Sequence, residues 1–351
     1  MTQDMMKIAR FRGFHKGFVL EETKIPYIQE NEVLVRVRCC AVSGTDIYRY
    51  REYENPTIAP FSDGETPGHE ITGIVEDRGK SVHKFRVGDR VVIQPLWGCG
   101  TCNACRNGRE NFCPDIKAFG FHLPGGFKQY INAREDIVLK FDQELSFEEV
   151  IPTHHTAVNL YGLKSSGVKL GPDTSVAVFG AGNLGLLMIM ILKSLGVSII
   201  FAIDINSSRL ALATELAGSI PVNAAVVDPA EAIIKQTKGT GVDVCIELAG
   251  GNAPTIAPAL RAARKGGTFI AIAVRNEEDT LNFFQILTKS LRIQGSATHT
   301  MKEMEESLTM IRDGRVKAHR IITHRFPLEE INRAFECRLD DPKALYVVVD
   351  I

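Results

Sequence analysis

The spacing of apolar residues changes period near Ser146. Before it, short β-branched runs alternate with polar positions, as in VLVRVRCCAV, HEITGIVEDRG and DRVVIQPLW, and glycine-containing turns separate them. That pattern predicts half-buried strands with short connections. Residues 51–66 are polar and turn-rich and read as a surface loop. After Gly171 the apolar runs alternate between strand and helix period: SVAVFG, NLGLLMIMILKSLG, VSIIFAID, SSRLALATELAG, VDVCIELAG, APTIAPALRAARKGG, TFIAIAV. Such βαβ repetition predicts a parallel, doubly wound sheet. Past about residue 290 the alternation fades into a helix, the segment RIITHRF and a terminal strand ALYVVVDI. Three segments follow: a β-rich part at 1–150, an α/β part at 151–290 and a closing part at 291–351. No internal repeat is evident.

The most apolar window, Leu184 to Ile205, is interrupted by Lys193, Gly196 and Ser198 and ends beside Asp204. A buried helix followed by a buried strand accounts for it better than a membrane span. The N-terminal stretch MTQDMMKIARFRGF has no apolar core and no small-residue cleavage site, so no signal peptide is expected. The chain has 351 residues, which favours two domains, and a formal net charge of -1. That charge gives no general field for nucleic acid or an anionic membrane, so neither is expected as a partner. A cytoplasmic location and a small-molecule substrate are expected.

Two motifs carry chemistry. Gly180-Ala181-Gly182-Asn183-Leu184-Gly185 follows a strand, opens an apolar helix and precedes a second strand that ends at Asp204. In that setting G-x-G-x-x-G is a dinucleotide fingerprint: tight turn, close backbone approach to a pyrophosphate, and close helix–strand packing. Asp204 is placed to accept from the adenosine ribose hydroxyls and to repel a 2′-phosphate, which favours NAD over NADP. Arg209, five residues on, weakens that preference slightly. Ile272 and Val274, at the end of TFIAIAV, complete the candidate cofactor contacts. The second motif is the run Cys99, Cys102, Cys105, Cys113, half of the eight cysteines. Four thiolates at this spacing can close a tetrahedron around a structural zinc. Cys39 and Cys40 read as buried strand cysteines.

Together with SGTDIY, Gly68-His69-Glu70, VGDRVV and GGFKQY, these motifs resemble the zinc-dependent medium-chain alcohol/polyol dehydrogenases over essentially the whole chain. The resemblance implies an α/β fold: a GroES-like β-rich catalytic domain plus a Rossmann doubly wound parallel sheet inserted in it. It also implies a cleft between the domains, a homodimer or homotetramer, and a catalytic zinc. The family's usual ligand cysteine is Ser43 here, a hydroxyl too weakly acidic to be a soft anionic ligand. In the third-ligand region, His155 falls on the cysteine position and His154 on the glutamate used by polyol enzymes. A His69, Glu70, His155 set is chemically sound for zinc with an open position. Family matching further gives Thr45 as the first hydroxyl of a proton relay, Tyr48 in place of the usual relay histidine, and Asp46 as the acid that orients His69. Tyr346 stands where the family often has Arg or Lys, which should leave Glu70 freer to reach a metal. Gly120-Phe121-His122 is similar to polyol and amino-polyol branches, with His122 itself a loop residue. The implied function is NAD-dependent interconversion of an alcohol and its carbonyl, polyol or amino-polyol favoured. The alternatives are a zinc-poor reductase of an activated C=C or C=N bond, and a non-catalytic NAD-binding sensor or scaffold.

Overall fold

The computed structural model describes residues 4–51, 59–275 and 280–351. Part of the expected 51–66 loop therefore lies outside the described residues. The chain divides into two compact units: residues 1–154 with 300–312 and 318–351, and residues 155–299 with 313–317.

The first unit is built on a seven-stranded sheet. Its central strand, Glu32–Val42, is the run VLVRVRCCAV with one flanking residue. This strand pairs antiparallel with Ile71–Arg78, Tyr130–Arg134 and the C-terminal strand Tyr346–Asp350. Alternate residues Val33, Val35 and Val37 are fully buried, the period expected of a strand with one face on the core. Around them pack Phe11, Phe18, Phe127, Ile131 and Phe335. Cys39 and Cys40 are buried in this strand. Burial pushes the Cys40 thiol well above its ordinary value.

One polar residue in this unit is out of place. Lys128, in GGFKQY, is 6% exposed, and burial together with the nearby Arg10 charge pulls its ammonium down to about 8. Its native value lies below its unfolded one, so the charged form is penalised fully below about pH 8 and the penalty fades as pH rises toward the unfolded value. Lys128→Met should raise stability by up to about 3 kcal/mol at neutral pH. The gain should shrink at alkaline pH, which melting curves at several pH values would show. A gain independent of pH would count against the buried charge as its cause.

The second unit holds a six-stranded, wholly parallel sheet in the order Ile220–Asn223, Ile199–Asp204, Ser175–Phe179, Val242–Glu247, Ala263–Ala271, Arg292–Gly295. Strand order reverses between Ser175–Phe179 and Val242–Glu247, so the carboxyl ends of these two strands flank the crevice where such sheets bind ligands. The helix after the first of them, Asn183–Ser194, is buried along Gly185–Leu192. That burial explains the apolar window without a membrane. Among the described residues no helix is long and apolar enough to cross one. The helix Ser207–Ala217 stops at Gly218, which takes the left-handed conformation at φ 68°.

Two boundaries differ from the sequence reading. The helix expected over residues 253–267 spans only Ile256–Ala262, and Ala263–Ala271 is already strand. Ala263 pairs with Val242, and the Arg264 guanidinium donates to Asp243 at 2.7 Å, so sheet pairing wins over the helix-favouring RAARK. The strand Arg292–Gly295 pairs with Ala263–Ala271, which carries the second unit past residue 290 to His299.

Candidate active site and zinc loop

In the second unit the three glycines of the fingerprint have three different surroundings. Gly180 has φ +99° and lies so close to the loop after Val242–Glu247 that an added Cβ would sit 2.5 Å from the Ala249 nitrogen. At Gly185 a Cβ would meet the Gly180 carbonyl oxygen at 1.8 Å, so only glycine lets the helix start this close to its strand. Gly182, the N-cap of Asn183–Ser194, faces open space and has no side-chain cap. The first amides of a buried twelve-residue helix therefore stand ready for an anion.

Asp204 closes the turn from the next strand. Its Oδ2 accepts from the Ala181 amide at 2.7 Å and its Oδ1 from the Asn206 amide at 2.9 Å. Both oxygens keep lone pairs for a ribose diol. Arg209 is half-buried, and its Nε makes no hydrogen bond among the described residues. Ile272 and Val274 follow strand Ala263–Ala271: the Ile272 amide donates to the Glu247 carbonyl at 3.2 Å, and the Val274 carbonyl accepts from Gly251 at 2.9 Å.

Sequence reasoning gave Glu247 no role. It is 1% exposed at the end of its strand, and its Oε1 accepts from the amides of Ala249 and Gly250 and from the Thr255 hydroxyl. Burial raises its carboxyl value, against the pull of those donors and of Arg275, 3.8 Å away. It thus shapes the Leu248–Gly251 loop on which Gly180 packs. The signal was an acid closing the run VDVCIE ahead of LAGG.

In the first unit the short helix Gly44–Tyr50 begins in a capping box. The Ser43 hydroxyl donates to Asp46 Oδ2 at 2.7 Å and accepts from the Asp46 amide at 3.0 Å. Ser43 is 1% exposed, and its proton is taken up within the cap. It does not fit as a metal ligand. Thr45 and Tyr48, both half-buried, are three residues apart on this helix and so share a face. Asp46 lies inside, with Oδ1 3.8 Å from His69 Nδ1, which makes no hydrogen bond among the described residues. Burial lowers the His69 value first, partly offset by Asp46, so the ring is held neutral, the form that ligates metal.

The His69 ring meets His154 edge-on with centroids 5.3 Å apart and Phe121 at 5.4 Å. His155, the next residue, begins the second unit and is 7% exposed. Glu70 is not left loose by the absence of a cation at position 346: the Tyr346 hydroxyl donates to its Oε2, both groups being fully inside. Burial raises both values well above the ordinary range. Arg49, also missed, clamps nearby loops through the carbonyls of Ala59 and Gly120 and an ion pair to Glu65 at 2.6 Å. Nothing in its sequence setting signalled that. His122 is exposed.

Among the described residues, two groups bring three or more His, Cys, Asp or Glu donor atoms within 4.8 Å of one another. One is His324, Cys337 and Asp341, and the other is the cysteine loop. Neither His69 nor Glu70, two of the expected zinc donors, belongs to either group. In the loop the Cys99, Cys102 and Cys105 amides donate to the sulfurs of Cys113, Cys99 and Cys102 at 3.2, 3.3 and 3.4 Å. Donation from the Thr101 hydroxyl, helped by backbone amides, pulls the Cys99 thiol down to about 6. Sulfurs held this way suit a four-thiolate zinc.

A doubly wound sheet with a dinucleotide turn and, in the same chain, a β-rich unit carrying a four-cysteine loop define a zinc-binding, dinucleotide-dependent dehydrogenase. Residues 29–143 match the family "Alcohol dehydrogenase GroES-like domain", and residues 183–313 match "Zinc-binding dehydrogenase". Similar curated proteins include an alcohol dehydrogenase of Geobacillus stearothermophilus, 32% identical over 94% of this chain and 95% of the relative. An L-threonine 3-dehydrogenase of Bacillus velezensis is 33% identical over 91% and 92%. A sorbitol dehydrogenase of Bacillus subtilis is 29% identical over 90% and 89%. Among solved structures, a zinc-binding dehydrogenase of Sinorhizobium meliloti bound to NADP superposes with a TM-score of 0.89 at 28% identity, covering 99% of this chain and all of that one. The chain belongs to the zinc-type medium-chain alcohol dehydrogenase family. It is an NAD(P)-dependent oxidoreductase of the zinc-binding dehydrogenase type.

Proposed function

We propose that the protein oxidises a secondary alcohol flanked by a hydroxyl or amino group, a polyol or amino-polyol, and uses NAD in preference to NADP. The observation that carries the coenzyme preference is Asp204, a carboxylate hydrogen-bonded to the glycine turn through the Ala181 amide; the likeness to threonine and sorbitol dehydrogenases supports the substrate class. The net reaction moves a hydride from the carbinol carbon to C4 of the nicotinamide while the hydroxyl proton leaves to solvent, giving the carbonyl and reduced coenzyme. Thr45 receives that proton, and Tyr48, on the same helix face, passes it on. Asp46 acts on His69 rather than on substrate and is a positioning residue. Steady-state turnover with NAD and a panel of polyols, amino-polyols and threonine tests the reading. Absence of turnover on all of them, with activity instead on an activated C=C or C=N bond, would replace it.

For a second zinc the proposed donors are His69, Glu70 and His155. His69 supports this by being buried and neutral, and Glu70 by being a buried carboxyl that a cation would let ionise. Bound there, zinc supplies polarisation of the substrate oxygen and lowers the alcohol's pKa. His155→Ala is expected to lower the zinc content by one per chain by elemental analysis. Unchanged metal content eliminates that ligand.

The chain is also proposed to assemble as a homo-oligomer. Supporting this, Arg292–Gly295 is an edge strand, and beside it Phe283, Phe284 and Leu287 are 76%, 75% and 73% exposed. An apolar face next to an open strand edge invites pairing. An Ile293→Lys, Phe284→Asp double variant should run as a monomer in size-exclusion chromatography with light scattering. An unchanged mass would place the interface elsewhere.

A further inference from the structure

The strand Ile322–Pro327 and the helix Ile331–Asp340 bring His324, Cys337 and Asp341 together. Cys337 and Asp341 are four residues apart and so share one face at the helix end. His324 lies just past an irregularity in the pairing of its strand with Tyr346–Asp350, between Ile322 and His324. Such a bulge re-aims a side chain.

The hydrogen bonds around the cluster hold its donor atoms in place. The Thr323 hydroxyl accepts from the Leu345 amide at 3.0 Å, and its oxygen lies 3.4 Å from the Tyr346 carbonyl and 3.0 Å from His324 Nδ1. With Nδ1 turned to Thr323, the other ring nitrogen, Nε2, faces Asp341 Oδ2 at 3.4 Å. Asp341 is oriented in turn: its other oxygen accepts from the Lys343 amide at 2.8 Å. A ring nitrogen and a carboxylate oxygen set face to face can share a cation. Ligand bonds of about 2.0–2.1 Å give a tetrahedral edge of about 3.3 Å, close to this separation. The Cys337 sulfur, within 4.8 Å of both other donor atoms, offers a third, soft corner. All three residues are half-buried, which leaves room for water at the fourth.

We propose that His324, Cys337 and Asp341 form a binding site for a zinc-class divalent cation, separate from the four-cysteine loop. A sulfur, an imidazole nitrogen and a carboxylate oxygen suit zinc, or cobalt as its spectroscopic substitute, over calcium or magnesium. The Thr323 hydroxyl is the outer partner that sets the ring, a role whose loss costs metal sites about 10–100-fold in affinity.

The test uses the full chain with its cysteine loop already loaded with zinc. Alkylation of Cys337 by iodoacetamide is followed by peptide mass spectrometry as zinc ion is titrated in. Zinc should slow labelling of Cys337 in the wild type and leave it unaffected in His324→Gln. Thr323→Val should need about 10–100-fold more zinc for the same protection. Cobalt ion should give a thiolate-to-metal absorption that Cys337→Ser abolishes. Dehydrogenase turnover, which none of these residues serves, reports that the variants are folded. Labelling of wild-type Cys337 that zinc does not slow overturns the proposal. Protection that survives intact in His324→Gln overturns it equally.

Discussion

An Asp204→Ala variant is expected to bind NAD about 10–100-fold more weakly, and NADP with a much smaller loss. The magnitude follows from a net loss of one hydrogen bond to a charged acceptor, about 1.5–3 kcal/mol. The asymmetry follows from charge. The carboxylate attracts a ribose diol and repels a phosphate, so its removal takes a contact from one coenzyme and a repulsion from the other. Part of the loss is common to both, because Asp204 also holds the Ala181 amide and thus the shape of the glycine turn. The ratio of the two dissociation constants, measured by calorimetry or coenzyme fluorescence, is therefore the informative quantity. Equal weakening of NAD and NADP would leave Asp204 as a brace for the turn and nothing more.

The second large effect belongs to the cysteine loop. Cys105→Ser should release one zinc per chain and lower the melting temperature markedly. Zinc held by such ligands contributes on the order of 10 kcal/mol of apparent binding energy, and in a loop without its own core that energy is folding energy. The damage should spread beyond the loop. Glu110, inside it, accepts from the Met301 amide at 3.0 Å and so anchors the start of helix Met301–Arg312. Elemental analysis and calorimetry on the same preparation check both parts. Full zinc content in the variant, with an unshifted transition, would mean the loop does not depend on metal.

Much of this was readable in the chain. The periods of the apolar residues fixed the two kinds of sheet, because alternation and continuous burial leave different patterns along a strand. The glycine fingerprint was legible because two of its three glycines answer steric demands within the protein that no other residue meets, as the contacts at Gly180 and Gly185 demonstrate. The cysteine loop was legible because its four ligands are neighbours in sequence. The site residues that act across long separations were not. That Ser43 closes a cap onto Asp46 is local and could have been anticipated from the S-x-x-D spacing. That Tyr346 reaches Glu70 required two strands far apart in sequence to be joined through the same sheet.

The linear sequence determined on its own the fold class, the glycine turn and the four-cysteine loop, since each rests on residues within one or two elements of one another. Only the tertiary structure decided the partners of the buried charges. It assigned Tyr346 to Glu70, Glu247 to the loop under Gly180, and Thr323, His324, Cys337 and Asp341 to one another. The physical reason is that burying a polar group is costly until a partner is met. Which partner it meets depends on strand order and register, which no short stretch of sequence contains.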